Sequence, residues 1–203
     1  MTPRTIAVLS AGLSQPSSTR LLADQLAGST RRELEQAGAD VDVRTIELRD
    51  LAHDLTNNML TGFPSRDLAD AIEYVTGADA LIAVTPIFSA SYSGLFKSFF
   101  DVLDKDALAG KPVLIGATGG TARHSLALEF AVRPLFAYLR AIVVPTSVFA
   151  ASEDWGGGSA HGALPARVDR AADELTRLVT DRQPARPVDP FDTPTPFEHL
   201  LNG

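Results

Sequence analysis

The chain has 203 residues, 45% hydrophobic and 21% charged, enough apolar material for one domain with a full core and too much for wholesale disorder. Eighteen Lys and Arg against 25 Asp and Glu leave a formal charge of -7, the wrong sign for a protein that coats nucleic acid. With no cysteine there are no disulfides, thiolate metal sites, iron–sulfur clusters or Cys nucleophile, and with no apolar run near the ~18 residues of a membrane span and no signal-peptide layout the expectation is a cytoplasmic protein without a membrane partner.

From the N-terminus, short β-branched apolar runs alternate with longer stretches of helical period, the pattern of parallel βαβ units. Strands are predicted over 4–10 (RTIAVLS), 41–47 (VDVRTIE), 79–85 (DALIAVT), 112–117 (PVLIGA) and 141–149 (AIVVPTSVF). The first, third and fourth are nearly continuous apolar runs, as expected where helices cover both faces. The second mixes Val41, Val43 and Ile46 with Asp42, Arg44 and Thr45 and reads as an edge strand with one wet face. Helices are predicted over 18–37, with Leu21, Leu22, Leu26 and Leu34 on one stripe and Gly38 as a stop, and over 67–76, ended by Gly77. Residues 92–104 carry Leu95, Phe96, Phe99, Phe100 and Leu103, a face for the sheet and a candidate contact with a second subunit. Helices over 123–139 and 163–181 complete the set. Five prolines in 184–203 predict an extended or disordered tail after a domain spanning 1–183, and its Phe191, Phe197, Leu200 and Leu201 offer further contacts. The run Gly156-Gly157-Gly158 reads as a surface loop, because no helix start follows it directly.

In an open parallel sheet, ligands bind beyond the carboxyl ends of the strands where strand order reverses, which directs attention to the loops after the first, third and fourth strands. The first, Ser10 to Arg20, holds Ser10, Ser14, Ser17, Ser18 and Thr19 with Gly12, just before a helix. Hydroxyls and free N–H groups at a helix N-terminus suit a phosphate monoester; the plainer reading is that Ser17 or Ser18 only caps the helix. The loop is neither GxGxxG nor GxxxxGK[ST]. The second, Thr85-Pro86-Ile87-Phe88-Ser89, offers edge hydrogen bonds and aromatic contact to a flat heterocycle, or else is an ordinary strand-to-helix turn. The third, Thr118-Gly119-Gly120, permits close backbone approach.

Together these loops resemble the flavodoxin-like NAD(P)H-dependent FMN reductase family, and TPIFSASYSGLFKSFFDVL with ATGGTARHSLALEFAVRPLFAYLRA looks most like the reductase components of two-component alkanesulfonate and luciferase-like monooxygenase systems. The resemblance implies a flavodoxin-like three-layer α/β/α sandwich whose five-stranded parallel sheet runs 2-1-3-4-5. It implies FMN and NAD(P)H as cofactors, a partner flavin-dependent monooxygenase, and a homodimer or homotetramer. By position, Ser10, Gly12, Ser14, Ser17, Ser18 and Thr19 fall on the family's phosphate loop, Pro86, Ile87, Phe88 and Ser89 on its ring-contacting segment, and Thr118, Gly119 and Gly120 on its third loop. Arg123 and His124, beside that loop, are placed to touch nicotinamide-dinucleotide phosphates or the flavin edge. Many relatives carry Arg where Ser14 stands and Tyr where Phe88 stands, and both departures point to FMN as a loosely held substrate. Hydride transfer between cofactors requires no catalytic side chain, and the four histidines, His53, His124, His161 and His199, lack metal-ligand spacing. The alternatives are a quinone or azo reductase with tightly bound FMN, and a flavodoxin-type electron carrier, whose compact T-x-T-G-x-T loop is missing here.

Overall fold

The apolar runs form strands because their side chains alternate between two covered faces. Ile6 and Val8 enter one hydrophobic cluster while Ala7 and Leu9 enter the other, all fully buried. The computed structural model describes residues 3–155 and 163–182, so the tail over 184–203, the Gly156–Gly158 run, His161 and His199 lie outside the described residues. In chain order the strands are β1 (Arg4–Ser10), β2 (Val41–Glu47), β3 (Ala80–Phe88) with its antiparallel continuation β4 (Ser91–Tyr92), β5 (Pro112–Gly119), β6 (Ile142–Val143) and β7 (Val148–Ala151). The central order is β2-β1-β3-β5, all parallel, and β6 and β7 share the outer position beside β5. Counted as one interrupted strand they complete the 2-1-3-4-5 order, and helices on both faces make the flavodoxin-like α/β/α sandwich.

On one face α1 (Ser18–Gln36) and α6 (Ala163–Thr180) pack Leu22, Leu26, Val168 and Leu175 against Ile6, Ile82 and Leu114. On the other lie α2 (Ala52–Thr61), α3 (Arg66–Gly77), α4 (Gly94–Asp101) and α5 (Arg133–Tyr138). Here Phe96, Phe100 and Phe136 meet edge-on at 4.8 to 6.3 Å between ring centroids. Such pairs add about 0.5–1.5 kcal/mol each to the burial of the rings. Phe96, Phe99 and Phe100 are at most 3% exposed, so the candidate subunit contact is used up inside the chain.

The helices depart from the sequence expectation at three places. α2 was not foreseen: Met59 and Leu60 are exposed and only Leu55 and Asn58 are buried, so its apolar stripe is too thin to register. α4 starts late, because Ser91 and Tyr92 pair with β3 and Ser93 then caps the helix, its Oγ accepting from the Phe96 N–H at 3.1 Å. The helix expected over 123–139 breaks into a 3-10 turn (Ala122–His124), a π turn (Leu128–Val132) and α5. Pro134, near the start of α5, has no amide hydrogen to give to the carbonyl four residues back.

The gap between β6 and β7 is closed from both layers. Arg133 donates to the Val144 and Pro145 carbonyls, each at 3.0 Å. From α6, Glu174 accepts the Thr146 N–H and hydroxyl, each at 2.7 Å.

At the amino edge of the sheet, Asp79 accepts from the Thr5 N–H at 2.8 Å and from Arg4 at 3.2 Å. Arg4 also donates to the Arg182 carbonyl at 2.6 Å, Arg182 donates to Gly110, and the buried Lys111 donates to Ala78. Burial pushes the Lys111 amine down from 10.5 to about 8, with Asp79 opposing the fall and Arg182 adding to it.

Candidate functional site

β1 ends at Ser10, and the Ala11 N–H donates to the Val84 carbonyl at 3.0 Å, so the chain leaves the sheet alongside β3. It then doubles back at Gly12, where a Cβ would lie 2.0 Å from Ser17 Oγ and 3.0 Å from Thr19 Cβ. Only glycine fits that close approach. Ser17 caps α1, its Oγ accepting from the Arg20 N–H at 3.2 Å, which matches the plain reading of this serine. Ser18 and Thr19 open the helix, where the first backbone N–H groups have no partner within it. Ser10 is buried, and its Oγ has no hydrogen-bond partner among the described residues.

The other two segments meet this turn through the sheet register, with Pro86 of β3 opposite Thr118 of β5. Thr19 Oγ1 and Thr118 Oγ1 lie 2.8 Å apart and tie the first loop to the third. Residues 86–88 belong to a strand rather than a loop, and β3 turns into β4 through Ser89 and Ala90, both at positive φ (48° and 68°). Two such residues make the mirror-image hairpin turn that matches strand twist, and holding non-glycine residues there costs about 1–3 kcal/mol each. At Gly119 a Cβ would stand 2.9 Å from Phe149 Cζ, so this glycine lets the β7 ring close under the third loop.

These segments enclose a cleft of about 410 Å³, within the usual range for a ligand pocket. Ser14, Ser18 and Thr19 line it from the first loop, Pro86, Ile87 and Phe88 from the second, and Thr118, Gly119 and Gly120 from the third. Gly12, Ser17 and Ser10 shape the first loop from behind, and Ser89 sits exposed in the hairpin turn. Arg123 and His124 lie exposed on the 3-10 turn beyond Gly120 and do not line the cleft. Leu13, Ser152 and Trp155 line it although the sequence reading passed over them. Trp155 was legible only as the residue before a glycine run; its place depends on β7 ending at the same edge of the sheet.

Among the described residues, none that lines the cleft carries a charge. Two cations stand behind the first loop. Arg20 bonds Asp24 at 2.8 Å and Glu47 at 2.7 Å, and Arg49 bonds Glu47 at 3.2 Å. Hydrogen bonding to Asp24 and the charges of Asp24 and Glu47 hold the Arg20 guanidinium above its ordinary value, against the effect of its burial. The donor set suits a phosphorylated planar ligand: hydroxyls and helix N–H groups on one side, Ile87, Phe88 and Trp155 on the other, and an orphaned Ser10 hydroxyl nearby.

Comparison with known proteins identifies the family. Residues 4–156 match the family of NADPH-dependent FMN reductases. The chain is 34% identical over 181 residues to an FMN reductase (NADPH) of Pseudomonas aeruginosa, covering 89% of this chain and 95% of that one. It is also 34% identical over 178 residues to the NADH-dependent FMN reductase SfnE of Pseudomonas putida, covering 87% and 93%. Among solved structures, an oxidoreductase of Corynebacterium diphtheriae superposes with a TM-score of 0.86 at 48% identity, over 89% of this chain and 99% of that one. The apo form of the NADH:FMN oxidoreductase EMOB gives 0.71 at 29% identity, over 91% and 94%.

Proposed function

The chain belongs to the NADPH-dependent FMN reductase family, and from that premise we propose that it reduces FMN with NAD(P)H in this cleft and releases the reduced flavin to a flavin-dependent monooxygenase. The observation that carries this reading is the convergence of three loops on one uncharged cleft, two of them tied by the Thr19–Thr118 bond. FMN, when bound, supplies a planar two-electron acceptor for hydride from the nicotinamide. The protein's part is binding and orientation. Ser14, Ser18 and Thr19, with the first N–H groups of α1, receive the phosphate. Ile87, Phe88 and Trp155 give flat apolar contact and exclude water, and Thr118, Gly119 and Gly120 bring backbone close to the ring edge. Arg123 and His124, outside the cleft, are assigned to the phosphates of the incoming dinucleotide.

Neutral donors around the phosphate favour FMN as a substrate that comes and goes, since charge-assisted bonds would be about twice as strong. The named relatives divide between NADPH and NADH, so both nicotinamides enter the test. Dialysed protein is expected to be colourless and to oxidise NADPH or NADH in a saturable, FMN-dependent manner. Absence of any flavin-dependent oxidation overturns the assignment, and yellow colour that survives dialysis points instead to the reductase with fixed FMN.

Self-association into a homodimer or homotetramer belongs to the same reading, supported by the largely exposed Leu60, Phe63, Phe130 and Tyr138. Sedimentation velocity checks it, a single-chain mass being the contrary result. A cytoplasmic location is likewise proposed; among the described residues no helix is long and apolar enough to cross a membrane.

A further inference from the structure

A loop that holds a phosphate must turn its N–H groups and hydroxyls inward, which leaves its carbonyls facing out and in need of donors. In the first loop that donor arrives from the 3-10 turn (Leu48–Leu51) that follows β2. Arg49, just past the end of β2, donates from Nη1 to the Ser14 carbonyl at 3.3 Å. With the Gln15 amide turned so that its oxygen meets the guanidinium, Nη1 donates there too at 2.8 Å. Arg49 is itself anchored: Leu48 and Leu51 on either side are buried, and its Nη2 meets Glu47 Oε2 at 3.2 Å. The other Glu47 oxygen takes Arg20 Nη1 at 2.7 Å, and Arg20 sits in the first turn of α1.

A cation in the first turn opposes the helix dipole, and α1 has no acidic residue there to offset it. Glu47 and Asp24 match Arg20, and Glu47 and Asp50 match Arg49, with Asp50 Oδ1 3.5 Å from Arg49 Nε. The two guanidiniums therefore act on the loop rather than on the ligand's charge. Their geometry runs from β2 through Arg49 to Ser14, and from β2 through Glu47 and Arg20 to the helix start. The middle of the loop and its helix end are both fixed to the end of β2 and the turn that follows it.

We propose that Arg49, linked to Arg20 through Glu47, is a positioning residue that holds the first loop open toward the cleft and thereby sets the preference for phosphorylated over unphosphorylated flavin. It rests on the FMN reading above.

The test uses the full chain, dialysed free of flavin and titrated with FMN and with riboflavin while flavin fluorescence is followed. The wild type binds FMN more tightly than riboflavin. Arg49→Gln weakens FMN about tenfold and leaves riboflavin within about twofold, because riboflavin makes no use of the loop. Arg49→Lys recovers only part of the loss, since an ammonium cannot span two acceptors as a planar fork does. Should Arg49→Gln fail to fold, Glu47→Gln keeps both arginines while breaking the bridge, and the preference for FMN then falls about threefold. An unchanged FMN-to-riboflavin ratio in the folded variants overturns the positioning role and leaves the FMN assignment standing. A wild type that binds neither flavin overturns the assignment itself.

Discussion

At the carboxyl edge of the sheet the chain presents hydroxyls, glycines and two aromatic side chains around a cleft that no charged residue lines among those described; at the amino edge it packs Arg4, Lys111 and Arg182 about Asp79. The contrast follows from the βαβ path. Helices return antiparallel to the strands, so their N–H ends gather at the first edge and their carbonyl ends at the second. Cations at the amino edge meet carbonyls of Ala78, Gly110 and Arg182 and close the base of the fold. At the other edge the backbone itself supplies the positive pole. The basic side chains at the amino edge form a structural clasp, whereas Arg20 and Arg49 at the carboxyl edge are matched by Asp24, Glu47 and Asp50 behind the first loop.

Three substitutions sharpen that division. The largest effect is expected from Asp79→Ala, which leaves Arg4 and Lys111 facing an apolar gap where a 6%-exposed carboxylate stood. Losing one partner of a buried ionic cluster costs about 3–5 kcal/mol. Urea unfolding should show this loss while FMN affinity in the folded protein stays within about twofold; a large change in FMN affinity would mean that the two edges are coupled.

Next comes Lys111. Its folded value of about 8 lies below the ordinary 10.5, so between those values the unfolded chain binds a proton that the folded chain does not. Stability therefore rises with pH from about 8, by roughly 2–3 kcal/mol before 10.5. Burial, with Asp42 beside it, raises Tyr74 from 10.0 to about 12, so above pH 10 the unfolded chain ionises first and the gain is opposed. Unfolding free energies measured from pH 7 to 10 should climb for the wild type and stay flat for Lys111→Met. A flat wild-type profile would refute the buried amine.

The smallest effect on stability, and the most local, belongs to Gly12→Ala. The new methyl displaces Ser17, whose capping bond is worth about 1 kcal/mol, and tilts the start of α1. FMN titration should show a loss of about tenfold or more, against a shift in Tm of only a few degrees. Retained FMN affinity would remove the first loop from the phosphate site.

The sheet and the three loops were readable because continuous apolar runs and hydroxyl or glycine clusters are local signals. β1 and β2 span the residues expected, and nine of the residues named on the three loops line one cleft. What escaped was set by tertiary register. Trp155 and Ser152 reach the cleft because β7 is displaced past the end of β6 and finishes level with β5. This segment, too, follows the carboxyl end of a strand, where ligands bind in open parallel sheets. Arg49 lies 35 residues from Ser14, and nothing in LRDL signals that it faces a loop elsewhere. α2 and the break at Pro134 were missed for a different reason, a thin apolar stripe in one and a missing amide in the other.

The interruption between β6 and β7 bears on how copies of the chain can meet. An unbroken outer strand would offer a row of amides and carbonyls to any extended segment, the usual route to runaway sheet growth. Here Pro145 has no amide to offer, and Arg133 and Glu174 occupy the neighbouring groups from within. Strand-by-strand accretion is interrupted on that flank at the gap between β6 and β7.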